Sequence, residues 1–187
     1  MNALKFLLAL GTLFLYYISS AQSISVKQED SNQLTFLTEP IEITIPCKSV
    51  AAGNYLAPAL CLIVKKKSNI EQFRLDFTLD PSYIFTFDKG SHLYIQTTTG
   101  NIITLENRIG LEDVIYTYNF FKGSQVTPQY LIPYKELQLI INEGIAALRF
   151  ESTSGLLDFY STQNTVGRAI KAEYDLIRKT IGFDSDF

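Results

Sequence analysis

The chain has 187 residues, 47% of them hydrophobic and 19% charged, with a formal net charge of −3. That length suits one domain with a substantial core and is short for two. Its 16 basic and 19 acidic residues are dispersed, so there is no broad cationic field of the kind that nucleic acid or anionic lipid requires, and no nucleic-acid partner is expected.

Lys5 precedes a run of thirteen uncharged, mostly apolar residues from Phe6 to Ile18. Such a run is short for a helix spanning a bilayer but fits the apolar region of a signal peptide. Ser19-Ser20-Ala21 supplies the small residues of a cleavage site, so residues 1–21 are read as a signal peptide removed before Gln22. The competing reading, an uncleaved anchor, is disfavoured by that length, and no cysteine follows the run to carry a lipid. Cleavage removes Lys5, leaving 15 basic and 19 acidic residues. The destination is then the periplasm or the medium, with no integral membrane segment after processing.

Residues 22–40 are polar around Gln28-Glu29-Asp30-Ser31-Asn32 and read as an N-terminal tail, leaving 41–187 as a single β-rich domain. Ile41, Ile43 and Ile45 alternate with polar residues, as do Phe73, Leu75, Phe77 and Leu79, and a period of two predicts strands with one buried face. Between them, Ala59 to Val64 is continuously apolar, which predicts a strand covered on both faces. There are two cysteines, Cys47 ahead of this run and Cys61 within it. In an exported chain their even number predicts a disulfide, worth about 3 kcal/mol for a loop of that size; two buried thiols are the alternative.

A further short strand is expected over Ile84 to Phe87, between the turn signals Asp80-Pro81 and Asp88-Lys89-Gly90. His92 to Thr97 and Ile102 to Asn107 form a hairpin around Thr98-Thr99-Gly100-Asn101, with Leu93, Ile95, Ile103 and Leu105 inward and His92, Tyr94, Gln96 and Thr104 outward. Val114 to Phe121 is rich in aromatic and β-branched residues, and the segment reaching Ile132 is expected to pair back onto it. Pro133 opens a short helix with Leu137, Ile140 and Ile141 on one face and Gly144 at its end. Ala146, Leu148 and Phe150 alternate in a strand whose hairpin partner carries Leu157 and Phe159. The last element is a helix, with Val166, Ile170, Tyr174, Ile177 and Ile181 on one face and Asn164 as its cap. The expected fold class is α+β, mainly β: an antiparallel, sandwich-like domain of about nine short strands, with a short helix and a C-terminal helix packed on a sheet.

Few residues carry chemistry. His92, the only histidine, stands at a strand start with no Gly-x-Ser-x-Gly nucleophile turn in the chain, so it reads as a solvent-facing strand residue. Asp76, Asp80, Asp88, Glu106, Glu112, Asp113, Glu151 and Asp158 all fall on expected outer faces or turns, where acids are ordinary. Lys65-Lys66-Lys67 ends a strand and reads as protection against edge pairing rather than a docking site. Tyr116, Tyr118 and Phe120 share one strand face and offer a candidate binding platform, although such stripes more often belong to a core. No cofactor or metal site is expected. The signal junction and short β-rich body look like those of many exported bacterial proteins, which implies a compartment and no mechanism. The functional expectation is an exported, non-catalytic binding or structural module of the cell envelope with a protein or glycan partner. The alternatives are a small secreted hydrolase using a carboxylate pair and, on the aromatic end at Phe187, a small outer-membrane barrel.

Overall fold

The computed structural model describes residues 23–48, 52–65, 70–81, 85–109, 117–119 and 123–181, which leaves the expected signal segment outside it. In chain order the elements are β1 (Ile24–Glu29), β2 (Gln33–Thr38), β3 (Ile43–Thr44), β4 (Ala52–Lys65), β5 (Ile70–Pro81), β6 (His92–Thr97) and β7 (Ile102–Glu106). There follow β8 (Thr117–Asn119), β9 (Gly123–Gln125), β10 (Gln129–Ile132), helix α1 (Tyr134–Glu143), β11 (Ile145–Ser152), β12 (Gly155–Tyr160) and helix α2 (Thr165–Thr180). The fold is mainly β within an α+β class, as the alternation predicts.

One sheet runs β1-β2-β4-β5-β10, with β3 beside β4, and a second runs β12-β11-β6-β7, every pairing antiparallel. β8 and β9 form a separate ribbon. Single bridges join the two sheets at both seams, Asn107 to Tyr130 on one side and Cys47 to Phe159 on the other. At the first seam Asn107, fully buried, donates from Nδ2 to the carbonyls of Asp88 (3.1 Å) and Ile109 (2.7 Å) and accepts from Gln129 N–H (3.1 Å).

Between the sheets lies one apolar core. Leu56, Leu60, Leu62, Phe73, Leu75, Phe77 and Leu79 reach it from the first sheet, and Leu93, Ile95, Leu148, Phe150, Leu157 and Phe159 from the second. Phe150 is its centre, with ring centroids of Phe77 at 5.4 Å, Phe159 at 5.7 Å, Phe87 at 6.0 Å and Tyr130 at 6.2 Å. Mostly edge-on, these are preferred aromatic geometries. β4 is buried on its other face too, through Ala57, Ala59 and Cys61. Pro58 sits inside β4 because of where its neighbours change: β3 pairs with Leu56 and Tyr55, and β2 first pairs at Cys61. The Pro58 carbonyl accepts from Ile41 N–H, and in that gap no carbonyl requires the N–H that proline lacks.

α2 lies over β4 and β2 and against α1, burying Val166, Ala169, Ile170, Glu173 and Ile177. Asn164, expected as its cap, makes no capping bond and adopts a left-handed conformation (φ 56°), which asparagine tolerates. Its Oδ1 instead accepts from Ile145 N–H (2.7 Å), tying the start of α2 to the start of β11. Ser161 takes the capping role, its hydroxyl accepting from Val166 N–H (3.2 Å). Gly167 allows this junction to close, since a Cβ there would stand 2.8 Å from Ile145 N and 3.0 Å from Gly144 Cα. Gly144 itself ends α1, as its position predicts, with φ 80°, a backbone value that glycine adopts without steric cost.

Several expectations are corrected. Residues 22–40 are not a tail: β1 and β2 pair in register within them. The Asp30 carboxylate accepts from the Asn32 and Gln33 N–H groups (2.6 and 2.7 Å), so the polar cluster there is the hairpin turn. Residues 85–88 form no strand; Phe85 and Phe87 are buried all the same, and Thr86 exchanges hydrogen bonds with Thr153 at the β11–β12 turn. Of the segment expected to pair back onto Val114 to Phe121, β9 does so against β8, whereas β10 pairs with β5. No disulfide joins Cys47 and Cys61. Cys47 N–H donates to Asn54 Oδ1 (3.0 Å), and Asn54 lies seven residues along β4 from Cys61, roughly 20 Å at strand rise, against the limit of about 7 Å between bridged Cα atoms.

Candidate binding face

The outer face of the second sheet follows from its register. Across β12, β11, β6 and β7 the outward residues fall in three rows: Leu156, Glu151, His92, Glu106; then Asp158, Arg149, Tyr94, Thr104; then Tyr160, Ala147, Gln96, Ile102. Each strand alternates, so Leu93, Ile95, Ile103, Leu105, Leu148, Phe150, Leu157 and Phe159 go to the core and these twelve face away from it. The outward set expected for the β6–β7 hairpin is found as predicted.

Three of the exposed large hydrophobic residues among the described ones sit on this face: Ile102 at 59% exposure, Leu156 at 53% and Tyr160 at 37%. No described helix packs on it. Ala147, small and central in its row, lowers the floor between Tyr160 and Ile102, and the result is an open groove of about 450 Å³.

The polar residues of the face are already organised. Arg149 and Asp158, directly opposite on β11 and β12, form a two-pronged pair: Nε donates to Oδ1 (2.6 Å) and Nη2 to Oδ2 (3.0 Å). That bond holds the Asp158 carboxyl below its usual range and raises the Arg149 guanidinium. Glu151 accepts at Oε2 from His92 N–H (2.9 Å), with His92 Nδ1 also 2.9 Å away, and at Oε1 from the Tyr94 hydroxyl (2.8 Å). The His92 bonds come first in holding the Glu151 carboxyl low. An ionised carboxylate only accepts, so His92 Nδ1 presents a hydrogen to it. Lys48 lies over the Tyr160 ring, 4.6 Å from its centroid, in a cation–π contact.

A hydrolytic pair of carboxyls needs one acid kept protonated near neutral pH. Glu151 and Asp158 are both shifted the opposite way. The carboxyls that are shifted upward lie inside. Asp76, expected on an outer face, is buried and forked to Arg74 (2.6 and 2.6 Å); burial raises it. Glu173 is fully enclosed under α2. Among the described residues no group of three or more histidine, cysteine, aspartate or glutamate side chains gathers as a metal site.

Of the residues singled out from sequence, Cys47 stands at the seam beside Phe159. Cys61 is buried in mid-β4, and burial pushes its thiol up to about 11, the mark of an unreactive thiol. Tyr116 and Phe120 lie outside the described residues, and Tyr118 pairs with Ser124 in the β8–β9 ribbon. Arg149, Asp158, Tyr160, Ile102, Leu156 and Ala147 were not anticipated as a group. Their one signal in the sequence is an apolar residue in the outward phase of an amphipathic strand, at Leu156 beside Leu157 and at Ile102 beside Ile103.

No described helix is long and apolar enough to cross a membrane. No family model, curated protein or solved structure matches this chain.

Proposed function

We propose that this protein is an exported, non-catalytic binding module of the cell envelope that engages its partner through the outer face of the β12-β11-β6-β7 sheet. The observation that carries the reading is that Ile102, Leu156 and Tyr160, three exposed apolar residues, all line one open groove on a face that no described helix covers. A groove that combines exposed apolar side chains with a few fixed polar groups marks an interaction site. The lowered carboxyls of Glu151 and Asp158 favour binding over hydrolysis. The enclosed apolar core and polar outward residues are the inverse of a membrane barrel, polar inside and apolar outside. Export rests on the N-terminal sequence alone.

Tyrosine-directed footprinting tests the face without knowledge of the partner. Purified protein and protein incubated with the envelope fraction of its own cells are iodinated and digested. Tyr94 and Tyr160 should lose label several-fold in the envelope sample, while Tyr134, 52% exposed on α1, should not. Equal labelling of all three in both samples would overturn the reading.

A further inference from the structure

The geometry points to a neutral oligosaccharide, a segment of an uncharged glycan chain, as the occupant of the groove over Ala147. This rests on the outer sheet face being the binding face, and it concerns what that face selects.

Size argues first. Neighbouring strands stand about 4.8 Å apart and alternate residues about 6.8 Å apart, so twelve positions in four columns and three rows span roughly 14 Å each way. With side chains the face offers on the order of 400 Å², half of the roughly 800 Å² per partner in a stable protein interface. A second copy of this chain docked face to face would be too weakly held. The groove volume of about 450 Å³ lies within the range of small-ligand sites.

Charge argues second. Arg149, the guanidinium among the described residues lining the groove, is committed to Asp158 through both prongs, and Lys48 at the rim lies over the Tyr160 ring. The carboxylates of Glu106, Glu151 and Asp158 on the same face outnumber these two cations, so the field disfavours an anionic ligand. Glu151 and Asp158 would repel one. A cationic ligand would have to compete for carboxylates already engaged, Glu151 by His92 and Tyr94 and Asp158 by Arg149. What remains are acceptor lone pairs on two carboxylates, the Gln96 amide and unused guanidinium hydrogens. A hydroxyl donates and accepts at once, so vicinal hydroxyls can bridge a carboxylate and a guanidinium without breaking the pair between them.

Shape argues third. The floor and walls between these polar groups are Ala147, Ile102, Leu156 and the ring of Tyr160, whose position is fixed by Lys48. Flat apolar and aromatic surface beside pre-set hydrogen-bonding groups matches a sugar ring, which is apolar on its C–H faces and polar around its edge.

The test is titration of the isotopically labelled protein, followed by amide chemical shifts and calorimetry. The probes are cellohexaose, xylohexaose, mannohexaose, laminarihexaose and chitohexaose, with a galacturonate hexamer and an uncharged extended peptide as contrasts. The expected result is saturable binding of at least one neutral hexaose, with shifts confined to β6, β7, β11 and β12. Ala147→Leu, which fills the dip from the solvent side, should weaken it tenfold or more at unchanged Tm, and Tyr160→Ala should do the same. Binding of only the galacturonate or the peptide on this face overturns the neutral-glycan inference and leaves the face as the binding surface. No binding by any hexaose, or binding indifferent to both substitutions, overturns the inference; the footprint on Tyr94 and Tyr160 then decides separately whether the face is used at all.

Discussion

Raising the pH should loosen this protein through one carboxyl group. Glu173 on α2 is fully buried, and neither oxygen meets a hydrogen-bond partner. Burial pushes its pKa up to about 9 and the charge of Asp76 adds to the rise; the nearby Leu60 N–H and Thr38 hydroxyl are engaged with each other (2.9 Å) and offset it only in part. The folded chain thus keeps this proton over a range in which the unfolded chain, with an ordinary glutamate pKa near ~4.3, has released it. Its contribution to stability is complete below pH ~4.3 and is lost as pH rises toward the folded value, at up to about 1.4 kcal/mol per unit. Between pH 5 and pH 8 that amounts to about 4 kcal/mol, a large part of the 5–15 kcal/mol typical of a domain. Glu173→Gln removes the titration and keeps the shape. Urea unfolding of both proteins at pH 5, 6, 7 and 8 should show the wild type losing roughly 3–4 kcal/mol relative to the variant across the series. Groups common to both cancel in that difference. Parallel stability curves would refute the argument and mean that the carboxyl is ionised, and partnered, inside the fold.

Phe150→Ala empties the centre of the aromatic cluster and should cost about 3–5 kcal/mol, read as a fall in Tm of roughly 10 °C; a loss below 1 kcal/mol would show that the rings around it do not depend on it. Gly167→Ala sets a helix-propensity gain of about 1 kcal/mol against a Cβ forced onto Ile145 N and Gly144 Cα, an overpacking cost of 1–3 kcal/mol or more. Net destabilisation in thermal unfolding is expected, and a rise in Tm would show that the junction is looser than described. Tyr130→Phe removes a buried hydroxyl that has no hydrogen-bond partner and should be neutral or stabilising by about 1 kcal/mol, with a clear loss pointing to a satisfied hydroxyl. Intact mass under non-reducing conditions should match the dithiol form, with Cys61 reacting with a thiol reagent only after unfolding; a mass two hydrogens lower would contradict the separation of Cys47 from Cys61.

What the sequence revealed was local. The β6–β7 hairpin was legible down to which residue faces which way, because alternation and a turn signal are contained in sixteen consecutive residues. The same holds for the start and stop of α1 at Pro133 and Gly144. β1 and β2 were hidden because their turn is a run of polar residues whose composition equally suits a tail; only the bonds from Asp30 to the following N–H groups distinguish the two. Pairing of β10 with β5 joins segments some fifty residues apart, and alternation carries no information about such partners. The cysteine expectation rested on number and compartment, neither of which contains a distance. The binding face failed for the same reason. Each of its strands displays its outward residues, but the neighbourhood of Tyr160, Ala147, Gln96 and Ile102 exists only once β12, β11, β6 and β7 are placed side by side.

The two seams also determine where this protein is open to association by its backbone. β10 and β7 close on each other through Asn107 and Tyr130, and β12 is met by Cys47; of the long strands in the two sheets, β1 has an outer edge that no described strand takes up. An unclaimed edge is a template for another chain's strand. It lies at the N-terminal end of the described chain and carries Lys27 and Glu29 within its six residues, charges of the kind that hinder edge-to-edge growth. Any tendency of this fold to polymerise is thereby concentrated in β1, on a different sheet from the face proposed to bind.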